Sequence, residues 1–261
     1  MRVMPRDIEL MQLLYECRWL STRQIQRTFF AEVSRNAVNK RLHKLVSGEY
    51  LYAARRSRLD EYFYRLKPKA LRLLSRACGE VYETALEGRT LPGDLEHFKT
   101  INDVRLACKK AAQVQGWHIS LFLGDRDVKK AFPHLSVVPD AFVLLTAHSG
   151  QQAQEKQLCI EVDLGTENLR TLMQKLEVYD HETRSPLAVL APKGCVVLFC
   201  HSRPRVVHVL EKILQQSPAP EKYYLASLSD VADDWDFAKP VVLSLRRFLT
   251  GNVELLGLFD I

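Results

Sequence analysis

Residues 159–180 read CIEVDLGTENLRTLMQKLEVYD, and the period of the pattern changes half-way along. From Cys159 to Asp163 apolar and acidic residues alternate, which is the two-residue period of a strand with unlike faces. Beyond Gly165, Leu169, Leu172, Met173 and Leu176 recur at helical spacing, so an amphipathic helix follows directly. Glu161 and Asp163 therefore share one face of the strand. Thr166 is placed to cap the helix, and Glu167 falls in its first turn, where a carboxylate favours the dipole. A strand that delivers two carboxylates on one face needs neighbours, and the surrounding sequence supplies them.

Upstream, Asp94 to Gly116 predicts a helix and WHISLFL a strand. LSVVPDAFVLL and KQLCIEVDLG follow as strands, separated by TAHSGQQAQE, read as a polar loop. Downstream, GCVVLFC reads as a buried strand, RPRVVHVLEKILQQ as a helix and KYYLASL as a last strand. Asp140 follows Pro139 in one strand, and Glu161 with Asp163 lies on the next. Three carboxylates converging from neighbouring strands form an oxygen set that suits Mg²⁺.

This order of helix, three strands, helix, strand, helix, strand resembles the PD-(D/E)XK nuclease fold. The resemblance implies catalytic and metal-binding roles for Asp140, Glu161 and Asp163. It also exposes a departure. Where that fold carries a lysine, this chain carries Asp163, which removes the cation expected to stabilise charge on a phosphate. Lys175, on the following helix, is the residue able to replace it. Its place on the flank of the apolar stripe reads more simply as a boundary lysine whose stem covers the core. His97, Asp103 and Glu167 are further candidates to line such a site.

The first third of the chain has a different character. PRDIELMQLLYECRWL predicts a helix with Ile8, Met11, Leu14 and Tyr15 on one face. Ser21 and Gln24 form a capping-box pattern ahead of a second helix, and Ser34 caps a third that ends at Gly48. Val38, Leu42 and Leu45 point inward on the third helix. Arg35, Asn36, Asn39, Lys40, His43 and Lys44 lie outside that stripe, amides and cations suited to base edges and phosphates. YLYAARRSRLDEYFYRL then predicts a hairpin with Arg55, Arg56 and Arg58 at its tip, and KPKALRLLSRA a further helix. Helix, helix, helix, hairpin, helix is the order of a winged helix-turn-helix. The expected organisation is a winged helix over 1–78, a linker over 79–93 and a nuclease-like α/β domain over 94–261, an α+β or α/β chain as a whole.

Charge divides along the same line. Residues 1–76 hold 17 Lys and Arg against 7 Asp and Glu, a balance of +10, whereas residues 77–261 hold 20 against 24, a balance of −4. The basic charge thus belongs to the part that resembles a DNA reader. Hydrophobic residues at 47% and charged residues at 26% exclude a disordered chain. No apolar run is long enough to span a bilayer, and the N-terminus has no signal-peptide pattern, so a cytoplasmic location is expected. Six scattered cysteines form no disulfide framework and are expected reduced. Cys195, Cys200 and His201 do not make a zinc set, because residues five apart on a strand face opposite sides.

Several stretches together resemble the replication-relaxation family of bacterial plasmids and mobile elements: RDIELMQLLYECRWLSTRQIQRTFF, YFYRLKPKALRLL, HFKTINDVRLA, VPDAF and EVDLGTENLRTLMQKLEVY. The resemblance implies double-stranded DNA as partner, with roles in replication, mobilisation or transcriptional control, and it carries over Asp140, Glu161, Asp163 and Glu167 as the family's acidic cluster. Ala70 stands where a glycine is common after PK. The leading expectation is a sequence-specific DNA-binding homodimer whose nuclease-like domain is inactive or repurposed for dimerisation or partner contact. The alternatives are a Mg-dependent DNA endonuclease or nickase, and an adaptor that brings replication or transfer proteins to DNA.

Overall fold

The computed structural model describes residues 2–82, 90–149, 152–181, 185–192, 194–231, 242–244 and 255–256. The protein is α+β and divides into two compact units, Met1–Asn102 and Asp103–Ile261. Residues 83–89 of the expected linker lie outside the described residues.

The first unit runs α1 (Pro5–Cys17), β1 (Leu20–Ser21), α2 (Thr22–Phe29), α3 (Arg35–Ser47), β2 (Leu51–Ala54), β3 (Phe63–Leu66) and α4 (Pro68–Cys78). Its helix boundaries follow from local chemistry. Pro5 and Pro68 occupy first turns, where a missing N–H costs nothing. Ser21 Oγ accepts from the Gln24 N–H at 3.2 Å while Gln24 Oε1 accepts from the Ser21 N–H at 3.0 Å, the reciprocal pair expected at α2. Gly79 ends α4 at φ 72°, a left-handed conformation that glycine adopts without penalty.

The buried side of α1 differs in part from expectation. Met11 and Leu14 face the core as expected, together with Leu10, Leu13 and Cys17, whereas Ile8 is half-buried and Tyr15 exposed. Both stripes have helical spacing, and the one at i, i+3, i+4 and i+7 is the more continuously apolar. Asp7, also buried, accepts from the Arg41 guanidinium and ties α1 to α3. The three strands form an antiparallel sheet in the order β1-β3-β2, with Leu20 opposite Tyr64 and Leu51 opposite Leu66.

The second unit takes its start from within α5 (Leu95–Gln115) and continues β4 (His118–Gly124), α6 (Asp125–Ala131), β5 (Ala141–Ser149), β6 (Gln152–Asp163) and α7 (Leu169–Asp180). Next come α8 (Pro186–Leu190), β7 (Cys195–Cys200), α9 (Arg203–Gln216), β8 (Tyr223–Ser227), α10 (Leu228–Val231), β9 (Val242–Ser244) and β10 (Leu255–Leu256). The sheet order is β10-β9-β8-β7-β6-β5-β4, with β6, β7 and β8 parallel and the remaining pairs antiparallel. Every residue of β7 is buried, which is why CVVLFC is apolar throughout. Leu172, Leu176 and Tyr179 of α7 and Val209 and Ile213 of α9 pack with Cys159, Leu198 and Leu225 of the sheet in one core.

Two sequence readings change here. TAHSGQQAQE is not a long loop: β5 and β6 extend into it from both sides, pairing Thr146 with Glu155 and His148 with Ala153, and residues 150–151 lie outside the described residues. Backbone pairing continues there although the side chains have turned polar. LSVVPDAFVLL becomes a strand only from Ala141. Pro139 has no N–H to offer a ladder, and the Asp140 side chain is spent on the Val162 N–H at 2.8 Å. The sequence reading assigned no element at α6, α8, α10, β9 or β10.

Candidate functional site

Two sets of charged side chains were expected to carry function, one in each unit. In the first, α3 begins where Ser34 Oγ accepts from the Ala37 N–H, and Val38, Leu42 and Leu45 anchor it to the core. That fixes the rotation of the helix. Arg35, Asn36, Asn39, Lys40, His43 and Lys44 are consequently all exposed. Arg35 approaches Glu61 at 4.0 Å with about half its side chain still in solvent.

The hairpin arginines separate into different roles. Arg55, Arg56 and Arg58 are exposed in the loop between β2 and β3. Arg55 donates to the Arg58 carbonyl at 2.9 Å and stacks over the Tyr62 ring, so it shapes the loop itself. Arg56 donates to the carbonyls of Pro92 and Gly93 and fastens the loop to that segment. Arg58 stands at the tip.

In the second unit, Glu161 and Asp163 leave β6 toward the side covered by α7 and α9, yet they have different partners. Glu161 is 1% exposed and accepts from Lys175 Nζ on one oxygen and from the Tyr179 hydroxyl on the other. Lys175 is half-buried, but its ammonium goes to Glu161 instead of solvent. One turn separates it from Tyr179, so α7 aims both donors at the same carboxylate. Burial, then Asp140, pushes the Glu161 carboxyl up to about 8, against the pull of Lys175 and Tyr179. Burial lowers the Lys175 ammonium, but Glu161, Asp140 and Glu167 together outweigh it, and the net shift is upward.

Asp163 faces elsewhere. Its Oδ2 accepts from Arg205 Nε of α9 at 2.6 Å and its Oδ1 from the Gly165 N–H at 2.8 Å, while Arg205 Nη2 also donates to the Glu167 carbonyl at 2.9 Å. The Glu167 side chain is exposed. His97 is half-buried in the first unit, and Asp103 is buried at the start of the second.

The set does not suit a divalent ion as arranged. Mg²⁺ takes hard oxygens with negative charge to spare. Here both Glu161 oxygens accept from α7, Asp163 is neutralised by Arg205, and Asp140 Oδ2 accepts from the Val162 N–H. Among the described residues no group of three or more His, Cys, Asp or Glu is placed to hold a metal. The expected triad of Asp140, Glu161 and Asp163 is therefore a pair beside a separate salt bridge. Cys195 and Cys200 are buried thiols that burial pushes up to about 12.

The family model described as replication-relaxation matches residues 11–188. The chain belongs to the replication-relaxation family. No curated protein and no solved structure matches it. Membership suggests a role in replication or relaxation of plasmid or mobile-element DNA. The matched span of the replication-relaxation model includes α3, Asp140, Glu161, Lys175 and Tyr179, and it stops before Arg205. Tyr179 and Arg205 escaped the sequence reading. Tyr179 had a signal, being four residues beyond Lys175 on one helix face, whereas Arg205 had none because its partner is 42 residues away. Among the described residues no helix is long and apolar enough to cross a membrane.

Proposed function

We propose that this protein reads double-stranded DNA of a plasmid or mobile element through α3, in replication, mobilisation or transcriptional control. In this reading the first unit is a winged helix, α3 its recognition helix and the loop between β2 and β3 its wing. The supporting observation is the exposed face of α3, where amides and cations stand together on a helix whose other side is locked in the core. A homodimer on paired half-sites belongs to the same reading. The second unit, read as a nuclease-like scaffold, keeps its charges in structural pairs and contributes no cleavage. The test is a gel-shift competition on duplexes selected from a random pool. Asn39→Ala with Lys40→Ala should erase the ranking of sites while the fold stays intact, and a double variant that ranks sites as the parent does would remove α3 from the role.

One observation favours a second reading, a DNA endonuclease or nickase. Lys175 reaches Glu161 from α7 and so brings to Asp140 and Glu161 the cation missing at position 163. That reading requires Glu161 to release both Lys175 and Tyr179. Supercoiled plasmid incubated with the purified protein and Mg²⁺ separates the two: our reading expects it uncut, and nicking lost in Asp140→Ala, Glu161→Ala and Lys175→Ala would establish the enzyme.

A further inference from the structure

The tip of the hairpin in the first unit carries a leucine with no core to fill. Leu59 is 99% exposed, the most exposed of the large apolar side chains among the described residues. The loop around it is held by its own hydrogen bonds. Ser57 N–H donates to Asp60 Oδ2 at 2.8 Å, Leu59 N–H donates to Ser57 Oγ at 3.2 Å, and Arg55 spans the loop to the Arg58 carbonyl. These bonds hold the backbone on both sides of Leu59, whose side chain stands in solvent.

The root of the loop is equally fixed. Glu61 Oε2 accepts from the Arg23 N–H at the start of α2 at 2.9 Å, and the Tyr62 carbonyl accepts from both the N–H and the hydroxyl of Thr22. Arg56 holds the far side through Pro92 and Gly93. The tip is thus a braced projection, with Leu59 foremost and Arg58 next to it.

A braced apolar side chain with Arg58 before it, and after it Asp60, whose carboxylate is taken up by the Ser57 N–H, suits a nucleic-acid partner. Apolar wedges entering the minor groove part a base step and bend the duplex away, while neighbouring cations hold the phosphates on either side. We infer that Leu59 is such a wedge: it enters the minor groove beside the segment read by α3, partly unstacks one base step and bends the DNA. This rests on the DNA-binding reading of the first unit. It adds a source of sequence preference that needs no hydrogen bond to a base, because steps differ in how readily they open.

The test uses the full chain and a roughly 30-base-pair selected duplex carrying a dye at each end, long enough for a bend to be read as end-to-end distance. Parent protein should shorten that distance on binding. Leu59→Ser should restore most of the straight-duplex value with affinity lowered about tenfold or less, while Leu59→Phe keeps the bend. Arg58→Ala should weaken binding and leave the distance in the residual complex unchanged. Leu59 touches no core, so all these variants should melt as the parent does. A parent complex as straight as free DNA, or a Leu59→Ser complex bent like the parent, overturns the wedge while DNA binding stands. A parent that binds no duplex overturns the DNA-binding reading and the wedge with it.

Discussion

The two units handle charge in opposite ways. In the first, cations stand on the outside of α3 and at the hairpin tip, and the helix is positioned by apolar residues that those cations do not touch. In the second, Glu161 and Asp163 are almost wholly buried, and each is answered by a cation from a covering helix. Exposed charges cost little to keep and are available to a polyanion. Buried ones must be paired, and a charge already paired is withdrawn from chemistry unless something separates it. On the function proposed above, the same residue types serve recognition in one unit and architecture in the other.

The sharpest way to break this contrast is to remove one buried partner. Lys175→Ala leaves Glu161 buried beside Asp140 and should destabilise the second unit by about 3 kcal/mol, the low end for a broken buried pair because Lys175 is 26% exposed and Glu161 can take up a proton. Denaturant unfolding followed near pH 9.5, above the value of about 8 at which the Glu161 carboxyl ionises, would measure it. A loss below roughly 1 kcal/mol, typical of a surface pair, would mean that the pair is not architectural.

A second effect of similar origin appears in the pH dependence. The Glu161 pKa is raised from 4.5 to about 8 on folding. The folded state therefore holds the proton more tightly than the unfolded chain, so this stability is complete below about pH 4.5 and is lost as pH rises through about 8. Glu161→Gln, which cannot ionise, should be flatter over that window by on the order of 3 kcal/mol. Melting curves of parent and variant that run parallel from pH 5 to pH 8 would show that Glu161 does not titrate there.

How far the sequence revealed these two arrangements depended on range. The outward face of α3 was legible because its rotation follows from Val38, Leu42 and Leu45, all on the same helix. The caps at Ser21 and Ser34 were legible for the same reason, since each bond spans three residues, but α7 is capped by Asn168 and not by Thr166, which leaves Glu167 before the helix and outside its first turn. The fates of Glu161 and Asp163 were not. Period two put them on one face of β6, but which helix answered each was decided by the packing of α7 and α9 against the sheet. Lys175 looked like a boundary residue because the apolar stripe cannot reveal a buried acid beneath its flank. The extent of β5 and β6 was hidden for a related reason: backbone pairing carried both strands into polar residues that read as a loop.

Smaller effects sharpen the contrast on the side of the first unit. Ser34→Ala removes the cap of α3 and should cost about 0.5–1 kcal/mol, since the bond is long and solvent-exposed. Thermal denaturation reads it, and an unchanged midpoint would mean that core anchoring alone sets the start of the helix. Smaller still, Arg58→Ala should lower the salt slope of DNA binding by about one unit, and Arg56→Ala by less because Arg56 is committed to Pro92 and Gly93. Equal losses from the two would mean that Arg56 leaves those carbonyls on binding.

The most direct measurement is the salt dependence of duplex affinity in the full chain, compared between a variant of each unit. One carries Arg35→Ala, Lys40→Ala, Lys44→Ala and Arg58→Ala; the other carries Lys129→Ala and Lys130→Ala on the exposed face of α6. If DNA is read by the first unit, the first variant should lose about three to four units of slope and most of its affinity, while the second keeps both. A first variant that binds with the parent's slope, or a second that loses it, would contradict the account.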